Sequence, residues 1–456
     1  MEETIAAVAT AYGEGGIGII RMSGEDALAI LRKVFVPASG SDLVSRHLTY
    51  GTIRDPDNSA VIDEVLAVYM KAPTTYTGED VVEIDCHGSV ISLRKTLELV
   101  LREGARMAEP GEFTKRAFMN GRLDLSQAEA VIDMIKAKTD KGFDVAVSQL
   151  EGRLSEKVKE IRQRILDVLV AVAVNIDYPD EDIEYITYET LEKNISQIGD
   201  MIENLLSTAS AGRLIREGIR VAIIGKPNVG KSSLMNELLG ESRTIVTDIP
   251  GTTRDTIEEA INIRGIPVYI IDTAGIRDTD DKVERIGIER SKEAFNKADY
   301  IIFIVDGSQP LTAEDEEIIE RISDRNCLIL INKKDLGQTV DAQSLQAKVP
   351  RATVLETSLI ERDGMQQIEE TIESLVYGGQ ISQKESMLVT NARHAGLLES
   401  SLKSIRDAQH MVSSGEALDF VEADINDAYA FLGEIIGETV SDDVIDEVFS
   451  RFCLGK

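Results

Sequence analysis

Apolar residues recur at spacings of three and four from residue 143 onward: Phe143, Val147, Leu150, Leu154, Val158, Ile161, Ile165, Val168 and Val172. That period draws one stripe down a helix, so it predicts a single long helix stopping near Pro179. Leu191, Ile195, Ile198, Ile202 and Leu205 repeat the signal, and helical periodicity returns after the Gly378-Gly379 break. Residues 1 to about 120 read differently. Short strand-like runs at 18–22 and 81–85 mix with turns rich in Gly, Pro and Thr, which predicts an α+β domain. From roughly 216 to 379, strand-like runs alternate with helices, the pattern of an α/β fold.

The expected fold class is therefore multidomain: an α+β N-terminal domain over 1–120, an α-helical bundle domain, and an inserted α/β domain over 216–379. Residues 121–215 begin the bundle and 380–456 complete it. Such an insertion would pass a conformational change in the inserted domain rigidly to the bundle. A length of 456 residues fits about three domains. No internal repeat or low-complexity segment interrupts the pattern.

Candidate chemistry is concentrated in the inserted domain. Gly225-Lys-Pro-Asn-Val-Gly-Lys-Ser232 follows the apolar run 221–224 and leads into an amphipathic helix, the setting of a phosphate-binding loop. Its glycines let backbone N–H groups close around phosphate oxygens, Lys231 adds a mobile charge, and the Ser232 hydroxyl can ligate Mg²⁺. Asp272-Thr273-Ala274-Gly275 follows the run 268–271, where a carboxylate can reach Mg²⁺ through water and the Gly275 N–H can reach a γ-phosphate. Asn332-Lys333-Lys334-Asp335 ends the run 328–331. The Asp335 carboxylate can accept from guanine N1–H and its 2-amino group together, a donor pair that adenine lacks. Motif order and chemistry both point to GTP.

Between the first two motifs, Thr247, Asp248, Ile249, Pro250, Gly251, Thr252 and Thr253 form the natural first switch loop. Thr253 is the residue expected to complete Mg²⁺ coordination, and the loop carbonyls are candidates for a monovalent cation beside Asn228, which also reads as a turn residue after Pro227. Ile276 follows Gly275 where many regulatory GTPases carry a water-orienting glutamine. Another group must position water. The acidic, helix-prone stretch 278–287 supplies carboxylates, among them Glu284, which by itself reads as a solvated helix residue.

Charge complicates the picture. Eighty acidic residues against 49 basic ones give a net charge of −31, which argues against a generally basic nucleic-acid surface and leaves only a confined patch or a partner's positive charge. Three cysteines, Cys86, Cys327 and Cys453, widely spaced and odd in number, argue against a disulfide framework and for a reducing compartment. Without a signal pattern or an 18-residue apolar run, a soluble cytoplasmic protein with no membrane span is expected.

Further motifs carry a resemblance that extends over essentially the whole chain. They are Thr4-Ile-Ala-Ala, Gly15-Gly-Ile-Gly-Ile-Ile-Arg21, Tyr76-Thr-Gly-Glu-Asp-Val-Val-Glu83 and His87-Gly88. Pro110-Gly-Glu-Phe-Thr-Lys-Arg-Ala-Phe118, Asn120-Gly-Arg-Leu-Asp-Leu125, Glu284-Arg-Ile-Gly-Ile-Glu289 and Phe452-Cys-Leu-Gly-Lys456 complete the set. With the nucleotide motifs, these resemble the MnmE (TrmE) family of tRNA-modification GTPases. The resemblance implies an N-terminal folate-binding and dimerisation domain, a split helical domain and an inserted G domain.

It further implies a homodimer that acts with a flavin-dependent partner of the MnmG (GidA) type, in a heterotetramer or larger assembly. Together they would build an aminomethyl or carboxymethylaminomethyl group at C5 of the wobble uridine of certain tRNAs. The one-carbon unit would come from 5,10-methylene- or 5-formyl-tetrahydrofolate. GTP contacts would come from Asn228, Val229, Gly230, Lys231, Ser232 and Ser233, the switch loop, residues 272–275, residues 332–335 and Ser358. K⁺ would sit against Asn228 and the carbonyls of Thr247, Ile249 and Thr252, in the role an arginine finger fills elsewhere, with Glu284 orienting water.

Arg21, Glu83, Arg122 and Lys456 match folate-contacting positions; Arg122 stands where lysine is also common. A pterin edge resembles guanine's and suits a carboxylate, while a glutamyl tail suits cations. Cys453 reads either as a tail thiol near the folate, with a catalytic role, or as a small buried residue on a docked tail; Leu454 departs from the usual isoleucine. Two other classes remain open at this stage. A ribosome-assembly GTPase would need a basic RNA-binding module, whereas 380–456 reads as acidic helices. A switch that merely times partner binding would lack folate binding.

Overall fold

The computed structural model describes residues 3–40, 42–177, 187–241, 259–271, 298–377 and 389–456. The chain forms two compact units: residues 1–132, 149–167 and 426–456 make the first, and residues 133–148 and 168–425 the second.

The first unit holds β1 (Ile5–Val8), β2 (Ile17–Ser23), α1 (Ala27–Val34), β3 (Phe35–Pro37), β4 (Thr49–Arg54), β5 (Val61–Met70), β6 (Val81–His87), α2 (Val90–Arg102), β7 (Arg106–Met107), α3 (Glu112–Met119) and the part of α4 (Leu125–Lys136) up to Ile132. Its sheet runs β3-β4-β5-β6-β2-β1-β7. All neighbours are antiparallel except β1 and β7. The two-residue period sends Ile20, Met22, Val82, Ile84 and Cys86 into one core with Leu31, Val34, Leu93 and Val100 from α1 and α2. Each large side chain buried there is worth about 1.5–3 kcal/mol. The same alternation turns Arg21 and Glu83 to the opposite face, where the β2–β6 register sets them directly across from each other. Ile5 and Ala7 share that face and pack with Ala108, Phe113 and Tyr76.

Two helices, not one, carry the stripe predicted over 143–172: α5 (Asp140–Leu150) and α6 (Arg153–Asp177). Gly152, at φ +87°, breaks the path in a region that side-chain-bearing residues avoid. The four-residue step from Leu150 to Leu154 spans the break in phase, so the periodicity looks continuous. Pro179 lies outside the described residues. Next, α7 (Tyr188–Ser207) starts at Thr187, whose side chain accepts from the Thr190 N–H at 3.2 Å. It buries the predicted Leu191, Ile195, Ile198, Ile202 and Leu205.

After α8 (Ala209–Glu217) comes the nucleotide-type sheet. Its elements are β8 (Ile219–Ile224), α9 (Lys231–Glu241), β9 (Glu259–Ile263), β10 (Ile266–Ile271), β11 (Tyr300–Asp306), α10 (Ala313–Ile322), β12 (Cys327–Asn332), α11 (Ala342–Lys348), β13 (Ala352–Glu356) and α12 (Met365–Tyr377). Strand order is β13-β12-β11-β8-β10-β9, parallel except for the β9–β10 hairpin. Strands covered on both faces are apolar at nearly every position. Ile302, Ile304, Leu328 and Leu330 enter one core, while Ile301, Phe303, Val305, Ile329 and Ile331 enter the other.

In α13 (Ala392–Ser413), the Asn391 side chain caps the first turn by accepting from the Arg393 N–H at 2.9 Å. This helix packs along α7, where Arg406 pairs with Glu203 at 2.9 Å. The chain ends with α14 (Leu418–Ile436), α15 (Asp442–Ser450) and a short tail. Within the first unit, Phe449 and Phe452 stack 5.4 Å apart and join Leu125, Ala128 and Val131 in a core that Phe118 completes. Lys115 of α3 adds an ion pair to Asp446 at 2.6 Å. The tail turns at Gly455, φ +90°, pressed so close to the Val8 carbonyl that a Cβ has no room. No described helix is long and apolar enough to cross a membrane.

Candidate functional site

The central strand β8 runs into the loop 225–230, and α9 begins immediately afterwards. The loop doubles back because Gly225, Asn228 and Gly230 all take positive φ, at +148°, +64° and +116°. Both glycines are required: a Cβ at Gly225 would collide with the Ile304 carbonyl, and one at Gly230 with the Asn332 amide. Lys231 donates from Nζ to the carbonyls of Gly225 at 2.8 Å and Lys226 at 2.7 Å, centring its charge on the loop. Ser232 and Ser233 open α9 with exposed side chains, where a helix N-terminus offers unpaired N–H groups to an anion. Val229 is buried, and Asn228 is exposed.

The base-type loop is cross-linked to this one. Asn332, 4% exposed, donates from Nδ2 to the Val229 carbonyl at 2.8 Å and accepts from the Leu359 N–H at 3.1 Å. Lys333 takes φ +66° and pairs with Asp306 at 2.6 Å. Burial alone would raise the Asp306 carboxyl, but hydrogen bonds from Lys333 and Ser308 prevail and hold it below its ordinary value. Lys334 is exposed and pairs with Asp363 at 3.0 Å. Asp335 is exposed and accepts from the Ser358 hydroxyl at 2.6 Å, which fixes the carboxylate's orientation. Asn228, Val229, Gly230, Lys231, Ser232, Ser233, Asn332, Lys333, Lys334, Asp335 and Ser358 thus all lie at the carboxyl ends of the strands of one sheet, in the loops, the strand end and the first turn of α9 found there, where ligands of such folds bind.

The remaining nucleotide candidates fall outside the described residues: Thr247, Asp248, Ile249, Pro250, Gly251, Thr252, Thr253, Asp272, Thr273, Ala274, Gly275 and Glu284.

The first unit assembles a second cluster. Arg21 meets Glu83 through Nε at 2.8 Å and Nη2 at 2.7 Å, and its guanidinium lies 5.7 Å from the Tyr76 ring centre and 5.8 Å from that of Phe113. Arg122 covers the same Tyr76 ring at 4.9 Å and donates to the Tyr76 carbonyl at 2.8 Å. Burial lowers the Lys456 ammonium, repulsion from Arg21 lowers it further, and Glu83 opposes both. Arg21, Glu83, Arg122 and Lys456 therefore share one neighbourhood. Tyr76 and Phe113, which sequence reasoning did not single out, form its aromatic wall; both lay inside quoted motifs, and their nearness to arginines needed the fold. Cys453 is exposed, not a buried packing residue, while its carbonyl accepts from the Gly111 N–H at 3.4 Å.

Parallel sheet, phosphate loop and base loop define a P-loop GTPase fold within a multidomain chain. The comparisons take this further. A family model described as "GTP-binding protein TrmE N-terminus" matches residues 4–122, and "MnmE helical domain" matches 125–453. A tRNA modification GTPase MnmE of Clostridioides difficile is 51% identical over 459 residues, covering 100% of both chains. Its counterpart from Alkaliphilus oremlandii is 54% identical over 460 residues, again covering 100% of each. A solved structure of an Aquifex aeolicus Era variant bound to GDP and aluminium fluoride is similar at 25% identity, over 41% of this chain and 66% of that one, with a TM-score of 0.27. The chain belongs to the MnmE family.

Proposed function

We propose that this protein is a K⁺-dependent GTP hydrolase whose cycle drives wobble-uridine modification of tRNA. The observation that carries the reading is its full-length identity of 51–54% to tRNA modification GTPases, joined to a phosphate loop and an Asn332–Asp335 base loop at the carboxyl end of one sheet. In this reading Asp335 accepts from the guanine edge, Ser358 holds that carboxylate, and Lys231 with the N-terminus of α9 receives the phosphates. Ser232, exposed at the start of α9, fits a ligand of Mg²⁺, with Thr253 as its second protein ligand. Asn228, exposed at positive φ, fits a ligand of K⁺ beside the Thr247, Ile249 and Thr252 carbonyls. The two cations neutralise charge developing on the phosphates. Glu284 orients the attacking water.

The first-unit cluster supports the folate part of the proposal. Tyr76 and Phe113 offer ring faces, Glu83 a double acceptor for a pterin edge, and Arg122 and Lys456 cations for a glutamyl tail. A tetrahydrofolate bound there supplies the one-carbon unit. The exposed Cys453 is available to the same site. We take the protein to be a cytoplasmic homodimer, with domains at 1–120, 121–215, 216–379 and 380–456, working with a flavin-dependent MnmG-type partner that also supplies the positive charge this chain lacks for RNA.

The test is mass spectrometry of tRNA nucleosides from a strain lacking the gene. C5-aminomethyl and carboxymethylaminomethyl uridines should disappear and return on complementation; an unchanged nucleoside profile would overturn the proposal.

A further inference from the structure

Within the second unit, the side chain of Lys226 points away from the phosphate loop that carries it. It bonds the Thr312 hydroxyl at 2.8 Å and pairs with Asp315 at 2.6 Å. Asp315 is 2% exposed, and the same carboxylate oxygen accepts from the Thr312 N–H at 2.8 Å and the Thr312 hydroxyl at 2.9 Å. This is a capping box at the start of α10, with a lysine from another loop attached to it. Nothing in the capping of a helix requires that lysine.

The chain between β11 and α10 is gripped at both ends. At its start, Asp306 holds Lys333 of the base loop at 2.6 Å, and the Gly307 N–H donates to the Asn332 carbonyl at 2.7 Å. At its far end, Thr312 and Asp315 hold Lys226 of the phosphate loop. One short segment is therefore bonded to the loop proposed to bind guanine and to the loop proposed to bind phosphate.

We propose that residues 306–315 form a brace that sets the spacing between the phosphate loop and the base loop, and that the Lys226–Asp315 pair is a positioning contact for guanine nucleotides. Lys226 touches no nucleotide in this scheme. It holds the Gly225–Lys226 backbone, whose carbonyls also receive Lys231, in the path that a bound nucleotide needs. Pre-organisation of this kind raises affinity without adding a ligand contact. A buried carboxylate stripped of its cation is costly, so the two residues must act as a unit.

The inference rests on the reading of this domain as a GTP site, and the experiment separates the two. Calorimetric titrations of the full chain with GDP and with a non-hydrolysable GTP analogue are made on the native protein, Lys226→Met, Lys226→Arg, Asp315→Asn and the double variant Lys226→Met/Asp315→Asn. Lys226→Met should weaken both nucleotides by a similar factor of about tenfold, Lys226→Arg should restore most of it, and the double variant should be no weaker than the worse single one. Loss confined to the GTP analogue would make Lys226 a γ-phosphate ligand and overturn the brace. So would unchanged affinity in Lys226→Met, or strictly additive losses. Should Asp315→Asn fail to fold, the Lys226→Met and Lys226→Arg pair still decides. No binding of guanine nucleotides by the native protein would overturn the GTP reading itself.

Discussion

The side-chain amide of Asn332 donates to the carbonyl of Val229 at 2.8 Å, tying the end of β12 to the middle of the phosphate loop. Its oxygen accepts from Leu359 at 3.1 Å, so one buried residue spans three loops. Asn332→Ala strands a buried carbonyl and a buried N–H, which costs about 1–3 kcal/mol per group. The second unit should unfold at lower urea concentration and bind GTP more weakly. Native affinity together with a native urea midpoint would show that the cross-link is dispensable.

Asp335→Asn should weaken GTP and favour xanthosine triphosphate. The carboxylate, held by Ser358 at 2.6 Å, presents two acceptors to guanine; an amide presents one and can donate to the extra oxo group of xanthine. Competition binding with the two nucleotides measures the switch, and unreduced preference for GTP would remove Asp335 from the base site.

The sequence reached some parts of the structure and not others. The apolar runs 221–224 and 328–331, inside strands 219–224 and 327–332, were legible because a strand covered on both faces is apolar at nearly every position, and the motifs follow such runs directly. The break at Gly152 was not, because the apolar spacing is in phase on both sides and one glycine within a helical period is ambiguous. Lys226 was hidden for another reason: its partner Asp315 lies on a different element, and a pairing between remote charges leaves no trace in local periodicity. The second cluster was half legible. Its charges stood in recognisable motifs, whereas the stacking of Arg21 and Arg122 on Tyr76 depends on the sheet register.

His87 and Asp63 give a pH prediction in the first unit. The Asp63 carboxylate bonds the His87 ring at 2.6 Å and its N–H at 2.9 Å, and that bond, with the accompanying attraction, raises the imidazole above its ordinary 6.5. A raised folded value means the stabilisation is full below the unfolded value and is lost as pH rises through the folded one. Burial would raise Asp63, but bonds from Ser92 and His87 prevail and lower it, so its own contribution is lost only in acid. NMR titration of the His87 ring should give a midpoint above 6.5 that Asp63→Asn brings down. A native midpoint at or below that value would mean the pair does not persist in solution.

Potassium should raise the GTPase rate over sodium at equal ionic strength, and Asn228→Ala should remove most of the advantage. The motivation is local. Asn228 is exposed at φ +64° in the phosphate loop, and no described residue engages its amide oxygen, while Ile276 occupies the position where a catalytic glutamine is common. Something must supply the positive charge that an arginine finger brings elsewhere, a contribution worth 10³–10⁵ in rate on the order of magnitude known for such fingers. Ion radius is the variable, because a site built from one amide and a few carbonyls selects by size and not by charge. Alanine at 228 keeps the backbone N–H groups of Gly225 and Gly230 and the charge of Lys231 but adds about 1–2 kcal/mol of strain at this positive φ, so GDP affinity should fall modestly while the potassium dependence collapses. Steady-state hydrolysis in matched KCl and NaCl decides it: equal rates in the two salts for the native protein would exclude a potassium site, and a full potassium advantage in Asn228→Ala would move that site away from this loop.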